Sequence, residues 1–348
     1  PDTMKLSEFD LNWYRQWGIP HEPLEEWSRP GLTNGLGSVQ IPADPTSLRH
    51  VVFAPVSSAE ESTGYLTLNG SLLVATRNRT TVRWTPWAAE RECDVEDWRI
   101  HTRTSLAPGC AGLVQRMDFT NTHGSARELR IGFRLSGRSV NRGPEPWFWG
   151  IPKVEITVDN LHGHSGLMPV VRPIGNCGRR FQERAADGAE PGSRLSYAGQ
   201  AFNAQVLHPA PDHWAVNGDA QYRLSLAPGE TFTLDFALAL ESGETAADTA
   251  LDLLKDTAAV FSAAETEWRG IWRSVFREEG PIGGRLPDVD LPETIAPVAV
   301  SSILCALYSR RNFPNADGLP AYNVSSPRRV EACLYPNDWA LAGELLAE

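Results

Sequence analysis

Lysine is almost missing from this chain: of 32 basic residues only Lys5, Lys153 and Lys255 are lysines. The rest are arginines, whose planar guanidinium suits stacked and bidentate polar recognition. Cysteine is scarce as well. Cys93, Cys110, Cys177, Cys305 and Cys333 are odd in number and far apart, with no CxxC and no Cys/His pair at metal-ligand spacing. That argues against a zinc site and a disulfide framework, and leaves buried free thiols. No GxGxxG, Walker or Gly-X-Ser-X-Gly stretch occurs, so nucleotide cofactors and a serine-hydrolase elbow have no support, and neither cofactor nor metal is expected. No run approaches the ~18 apolar residues of a membrane-spanning helix. Basic charge is also in deficit, 32 residues against 43 acidic ones, and the net charge of −11 argues against nucleic acid as a partner. The start, Pro1-Asp2-Thr3-Met4, shows no basic-then-apolar signal segment. The cytoplasm is therefore the expected compartment, although Pro1 is not a natural start and a leader cut away stays open. Sequons at Asn69, Asn78 and Asn323 occur about as often as chance allows and carry no weight.

What is present is a globular composition, 41% hydrophobic and 22% charged, over 348 residues with twelve tryptophans. The length suggests two domains. From about residue 45 to 240 the apolar pattern has period two. Leu129, Ile131, Phe133 and Leu135 alternate with Arg130 and Arg134, which predicts a strand with one buried and one wet face. Phe232, Leu234, Phe236, Leu238 and Leu240 repeat the pattern after Tyr222, Leu224, Leu226 and the turn Ala227-Pro228-Gly229-Glu230. Asn69-Gly70 between apolar flanks predicts a hairpin. Further strands are expected at Trp98–Leu106, Ala111–Thr120 and Val154–Val158. Many short strands with almost no helical period imply a large antiparallel β-sandwich.

Near Ser242 the texture changes. Leu251, Leu254, Ala258, Phe261, Ala264 or Glu265, Trp268, Ile271 or Trp272, Val275 and Phe276 follow helical spacing, as one long amphipathic helix or two with a break. Gly280 to Pro287 ends it. A further helix is expected from Asp290, with Glu293 completing a capping box, through Ile295, Val298, Ile303, Leu304 and Leu307 to about Arg311. Another is expected near Asp338, with Trp339, Leu341, Leu345 and Leu346. That apolar pattern is still running at Glu348, so the chain reads as the front of a longer product. The expected division is a β-sandwich over 1–243, a helical linker over 244–288 and the start of an α domain over 289–348.

Two stretches carry a family resemblance. Ala264-Glu265-Thr266-Glu267-Trp268-Arg269-Gly270-Ile271-Trp272 looks like the linker helix that ends in Trp just before an (α/α)6 toroid. Ala332-Cys333-Leu334-Tyr335-Pro336-Asn337-Asp338-Trp339-Ala340-Leu341 looks like the W-x-W-D-x-x-F segment opening the second toroid helix. With the order of β-sandwich, linker and helices, the chain resembles glycoside hydrolase family 63 and its bacterial relatives, including mannosylglycerate and glucosylglycerate hydrolases. Two positions depart from the pattern: Asn337 replaces an aromatic residue and Leu341 a phenylalanine.

The resemblance implies that 289–348 begins an (α/α)6 toroid, incomplete here, and that the product cleaves glycosidic bonds at a chain end or in a small glycoside. Its substrate would be a carbohydrate, with Asp338 binding sugar hydroxyls and Tyr335 walling the pocket; Trp339, outside the pattern but next to Asp338, offers a second flat wall. An aspartate between two aromatics suits a pyranose, which offers paired hydroxyls beside a flat apolar face. Helix capping by Asn337 or Asp338 would explain the same residues. Hydrolysis needs two carboxyl groups across the scissile bond. In such enzymes both come from later toroid helices, so no catalytic residue is assigned and the 348 residues alone are expected to be inactive. Arg328 and Arg329 could grip an acidic substituent or simply face water. Trp147-Phe148-Trp149, Trp84 and Trp87 are each either sugar platforms or a seal between sandwich and helices. His162, His164, His208 and His213 show no nearby carboxylate at helical spacing. A phosphorylase of the same domain order, and a non-catalytic carbohydrate-binding or interaction module, remain alternatives.

Overall fold

A computed structural model describes residues 2–16, 18–21, 31–42, 44–53, 56–58, 64–73, 79–135, 139–140, 154–159, 171–181, 198–214, 219–242, 245–280, 282, 284, 286–314 and 320–322. Antiparallel sheets dominate, with helices after them. The largest sheet has nine strands. They run, edge to edge, Val154–Asp159, Val171–Phe181, Ala198–His208, Thr231–Ser242, Gly112–Asn121, Trp98–Leu106, Ala88–Val95, Thr80–Thr85 and Ile19–His21. The opposing layer is divided between two five-stranded sheets. One is built around Arg127–Arg134 and Asp219–Leu226, the other around Gly37–Gln40 and Arg49–Phe53.

In the stretch 127–135 the period-two expectation holds residue by residue. Leu129, Ile131, Phe133 and Leu135 are buried while Arg130 and Arg134 are exposed. Slipping this strand by one residue would put all four apolar side chains in water. They meet Ile100, Leu113, Met117, Phe119, Leu234, Phe236 and Leu238 of the large sheet in one core, with Phe133 and Phe236 rings 5.7 Å apart. Asn69 and Gly70 take φ of 49° and 88° between Tyr65–Leu68 and Ser71–Leu72, the left-handed pair a two-residue hairpin requires. The turn at 227–230 carries the chain from the second sheet to the large one, closed by Glu230 N–H to the Ala227 carbonyl at 3.0 Å.

At its centre the sandwich holds a buried cation. Arg91 is fully buried, and its Nη1 donates to the carbonyls of Pro42, Asp44 and Ser47 at 3.3, 2.7 and 2.7 Å. Its Nη2 donates to Gln115 Oε1 at 2.7 Å, and the Gln115 amide donates in turn to the Thr46 carbonyl at 2.6 Å. Burial lowers the Arg91 pKa to about 10, against the pull of Asp44. A loop with no ladder to join is thus fastened to the large sheet by side chains, which satisfies carbonyls that would otherwise be buried without partners.

Among the described residues three α-helices follow the sandwich strands. They are α1 (Thr245–Lys255), α2 (Thr257–Ser274) and α3 (Ala296–Ser309). The long helical pattern is therefore two helices, broken at Asp256, whose carboxylate caps α2 by accepting from Ala259 N–H at 2.9 Å. Ala250 and Phe261 lie on the outer face of the large sheet against Val114, Ala204, Val206, Ala237 and Ala239. The middle strands are buried on both faces as a result. That explains why Phe236–Ala239 is a continuous apolar run without alternation. Of the paired alternatives in the α2 pattern, Ala264 and Trp272 are the buried members.

The helix expected from Asp290 begins later. Asp290–Pro292 is instead a strand paired with Thr3–Lys5, and α3 starts at Ala296. The N-terminal strand supplies a ladder that the capping-box reading could not anticipate. The apolar face shifts with it: Ile295 and Val298 are exposed, whereas Ala296, Val300, Ile303, Leu304 and Leu307 are buried. The helix expected near Asp338 lies outside the described residues.

A second core joins sheet to helices. Leu6, Phe9 and Leu11 of the N-terminal segment, Trp87 and Ala88 of the large sheet, Trp268 and Trp272 of α2, and Ile303 and Leu307 of α3 pack together. Trp268 stacks on Tyr308 at 5.1 Å and donates from Nε1 to the Thr33 carbonyl at 3.2 Å. Deleting a fully enclosed aromatic leaves a cavity, so Trp268→Ala or Trp272→Ala should cost ~3–5 kcal/mol in urea unfolding. A loss below ~1 kcal/mol would show that α2 merely tethers the sandwich.

Candidate functional site

The residues expected to hold sugar, Tyr335, Asp338 and Trp339, lie outside the described residues, as do Arg328, Arg329, Trp147-Phe148-Trp149, His162 and His164. His208 and His213 are described, both exposed, on the large and second sheets. The fold does decide the role of Trp84 and Trp87, which flank the turn between Thr80–Thr85 and Ala88–Val95. Trp87 is buried, and Trp84 sits between Tyr14 and Tyr308 with ring centroids at 5.5 and 5.7 Å. Both pack in the seal between sandwich and helices, and both also line the cleft described below. Tyr308 OH donates to the Pro86 carbonyl at 2.8 Å, which pins α3 to that same turn.

Outside this seal, the outer face of the large sheet carries polar residues in strand register. One row runs Arg83, Glu90, Arg103, Arg116 and Asp235; the next runs Glu92, His101, Asp118 and Thr233. Alternation places them on the face opposite the apolar core. Arg116 holds Asp235 through Nε and Nη2 at 2.9 and 3.0 Å and donates to Thr257 Oγ1 at 2.6 Å. The start of α2 is thereby anchored on the sheet. Arg103 lies over the Phe261 ring at 4.4 Å, a cation–π contact that seats the next turn of the helix.

The first row ends in a cleft of about 280 Å³, part of it open solvent, lined by Arg15, Arg83, Trp84, Trp87, Glu90, Arg103 and Glu265. Glu90 accepts from Arg15 at 2.9 and 3.1 Å, and Glu265 from Arg269 at 2.9 Å. Arg269 in turn lies 5.0 Å over the Trp87 ring. Both carboxylates of this cleft are thus ion-paired with arginine. On α2, Glu267 differs: burial raises its pKa, and among the described residues no hydrogen bond or ion pair offsets that. Sequence reasoning gave none of these charged residues a role. The signal that could have found them is the recurrence of opposite charges at matching positions of successive predicted strands. Among the described residues no group of His, Cys, Asp and Glu could hold a metal ion. No described helix is long and apolar enough to cross a membrane. Cys93 is buried, where loss of water pushes its thiol up to about 12.

Neither a protein-family model nor a curated protein matches the chain. Some solved structures are remotely similar to the chain. A putative kojibiose phosphorylase from human microbiome is 9% identical over 75% of this chain and 39% of its own, with a TM-score of 0.42. A bacterial glucoamylase solved with acarbose is 10% identical over 84% of this chain and 42% of its own, with a TM-score of 0.44. A family GH92 alpha-mannosidase from Bacteroides thetaiotaomicron is 9% identical over 69% and 35%, with a TM-score of 0.30. The chain spans about two-fifths of the length of the first two. These are remote likenesses of shape. They transfer no residue role.

The second row yields a pH-dependent test. His101 Nδ1 lies 3.7 Å from Asp118 Oδ2, and Thr233 Oγ1 donates to Asp118 Oδ1 at 2.7 Å. Asp118 raises the His101 pKa, with burial opposing and Glu90 and Glu92 adding to the rise. Burial would raise Asp118 itself, but His101, Thr233 and Arg116 together bring it below the usual carboxylate value. The imidazolium contribution is complete below the unfolded histidine pKa of ~6.5 and disappears as pH rises through the higher folded value. The carboxylate contribution is present above ~3.9 and is lost as pH falls through its lower folded value. His101→Gln should therefore cost up to ~1 kcal/mol near pH 5.5, the ceiling for a half-exposed pair, and close to nothing near pH 8.5. An equal cost at both would show that the imidazole acts only by packing.

Proposed function

We propose that this chain is the N-terminal part of a carbohydrate-active enzyme, a glycoside hydrolase acting at a chain end or on a small glycoside. The observation that carries the reading is the linker helix. The stretch that resembles the pre-toroid linker is α2, which binds the sandwich through Trp268 and Trp272 and packs on α3 across the second core. In this reading residues 1–243 form the supporting sandwich, 244–288 the linker and 289–348 the first part of an (α/α)6 toroid of family 63 type. Asp338 accepts hydrogen bonds from two hydroxyls of the terminal sugar, and Tyr335 and Trp339 cover its flat faces. The acid and the base come from later toroid helices, which these 348 residues do not include.

The sandwich does no chemistry here; it fixes the helices that shape the pocket. Contacts to ring hydroxyls matter most when they tighten in the oxocarbenium-like transition state, so Asp338 is given a share of that stabilisation. In the full-length gene product, Asp338→Asn keeps the shape and removes the charge. It should lower kcat/KM by at least ~100-fold, about 2.7 kcal/mol, with little change in Tm. Near-wild-type turnover of every cleaved glycoside by that variant would make Asp338 a helix cap and put the sugar pocket elsewhere.

A further inference from the structure

The cleft between the N-terminal 3-10 helix Leu11–Gln16, the large sheet and α2 is short of negative charge. Its lining counts Arg15, Arg83 and Arg103 against Glu90 and Glu265, a local excess of one positive charge in a chain whose net charge is −11. The excess is not spread evenly. Arg15 takes both oxygens of Glu90, and Arg269 takes Glu265. Arg103 is left with Glu90 Oε1 at 3.7 Å, beyond hydrogen-bond range, and its Nε is buried with no acceptor. In strand register it also faces Arg116, a like charge directly opposite. Arg83 stands opposite Glu90 on the other side, half-buried, and among the described residues it makes no hydrogen bond or ion pair.

A buried, unpaired donor on a cation is costly, and Arg103 Nε is one; with half-buried Arg83 beside it and without a described partner, the cleft presents cationic donors that lack an acceptor. We propose that this cleft binds a small oxyanion, a carboxylate or a phosphate group, whose oxygens accept from Arg83 and Arg103 beside the indole walls of Trp84 and Trp87. Guanidinium forks match either group with paired hydrogen bonds. Trp84 contacts Tyr14 and Tyr308, so the bound anion would lie against the joint between sandwich and helices. The proposal does not depend on Asp338 or on the hydrolase reading.

Calorimetric titration of the 348-residue protein at fixed ionic strength tests it, with sodium phosphate and sodium glucuronate as probes and sodium chloride as control. Saturable one-site binding with Kd at or below about 1 mM is expected for at least one of the two probes and not for chloride. Arg83→Gln should weaken it at least tenfold at unchanged Tm, since Arg83 has no described partner to lose. Arg103→Gln should weaken it similarly, and if that variant does not fold, Arg83→Gln alone decides. Binding of phosphate alone assigns a phosphoryl group, of glucuronate alone a sugar acid, and of both a site that reads the charged fork. Failure of both probes to saturate by about 20 mM, or equal affinity in wild type and Arg83→Gln, overturns the proposal.

Discussion

The arrangement depends on one shared aromatic core at the joint between strands and helices. Trp268 and Trp272 lie on one face of α2, one turn apart, and both are buried. Around them close the N-terminal segment, the turn after Trp84 and the buried face of α3. The hydrogen bonds at this joint reach across long sequence separations: Tyr14 OH to the Pro297 carbonyl, Trp268 Nε1 to the Thr33 carbonyl, and Tyr308 OH to the Pro86 carbonyl. An aromatic of this size buries on the order of 150–250 Å². Neither layer can be moved without opening that surface to water. This is the physical sense in which a sandwich with no assigned chemistry positions the helices after it.

The large sheet solves a different problem on each face. Its inner face is mostly apolar, and where Arg91, Thr102, Thr104 and Gln115 meet the loop at 44–47 side-chain hydrogen bonds fasten that loop, leaving Asp44 Oδ2 and Arg91 Nε without partners. Its outer face is covered by apolar contact under α1 and by charge under the start of α2, where Arg116 reaches both Asp235 and Thr257. The charged rows beyond the helices are partly wet, so each pair there is worth little alone. Their consequence is local: they leave Arg83 and Arg103 without full partners beside the joint.

Much of the fold was legible because it follows from periodicity. The strand of Leu129, the Asn69-Gly70 hairpin and the amphipathic face of α2 each depend on local spacing, which a sequence displays directly. The start of α3 was not legible, because Asp290–Pro292 takes its conformation from Thr3–Lys5, far away in the chain. Propensity and capping patterns yield to a ladder they do not encode. The aromatics at Trp84 and Trp87 could be read as platform or seal until the fold showed what covers them. Of the candidate site, Asp338 and its neighbours remain a reading from resemblance. The Arg83–Glu90–Arg103 row was visible only as scattered charges until strand register aligned it.

If the joint is what makes strands and helices one unit, then α2 should not open independently of the sheet it covers. Native-state hydrogen exchange in rising urea measures this directly. The amides of Phe261, Trp268 and Trp272 in α2 and of Ile303 in α3 should merge with those of Ile100 and Phe119 in the large sheet into one global unfolding isotherm. Exchange of the helical amides through a separate opening, at a free energy several kcal/mol below that of the sheet, would contradict the account.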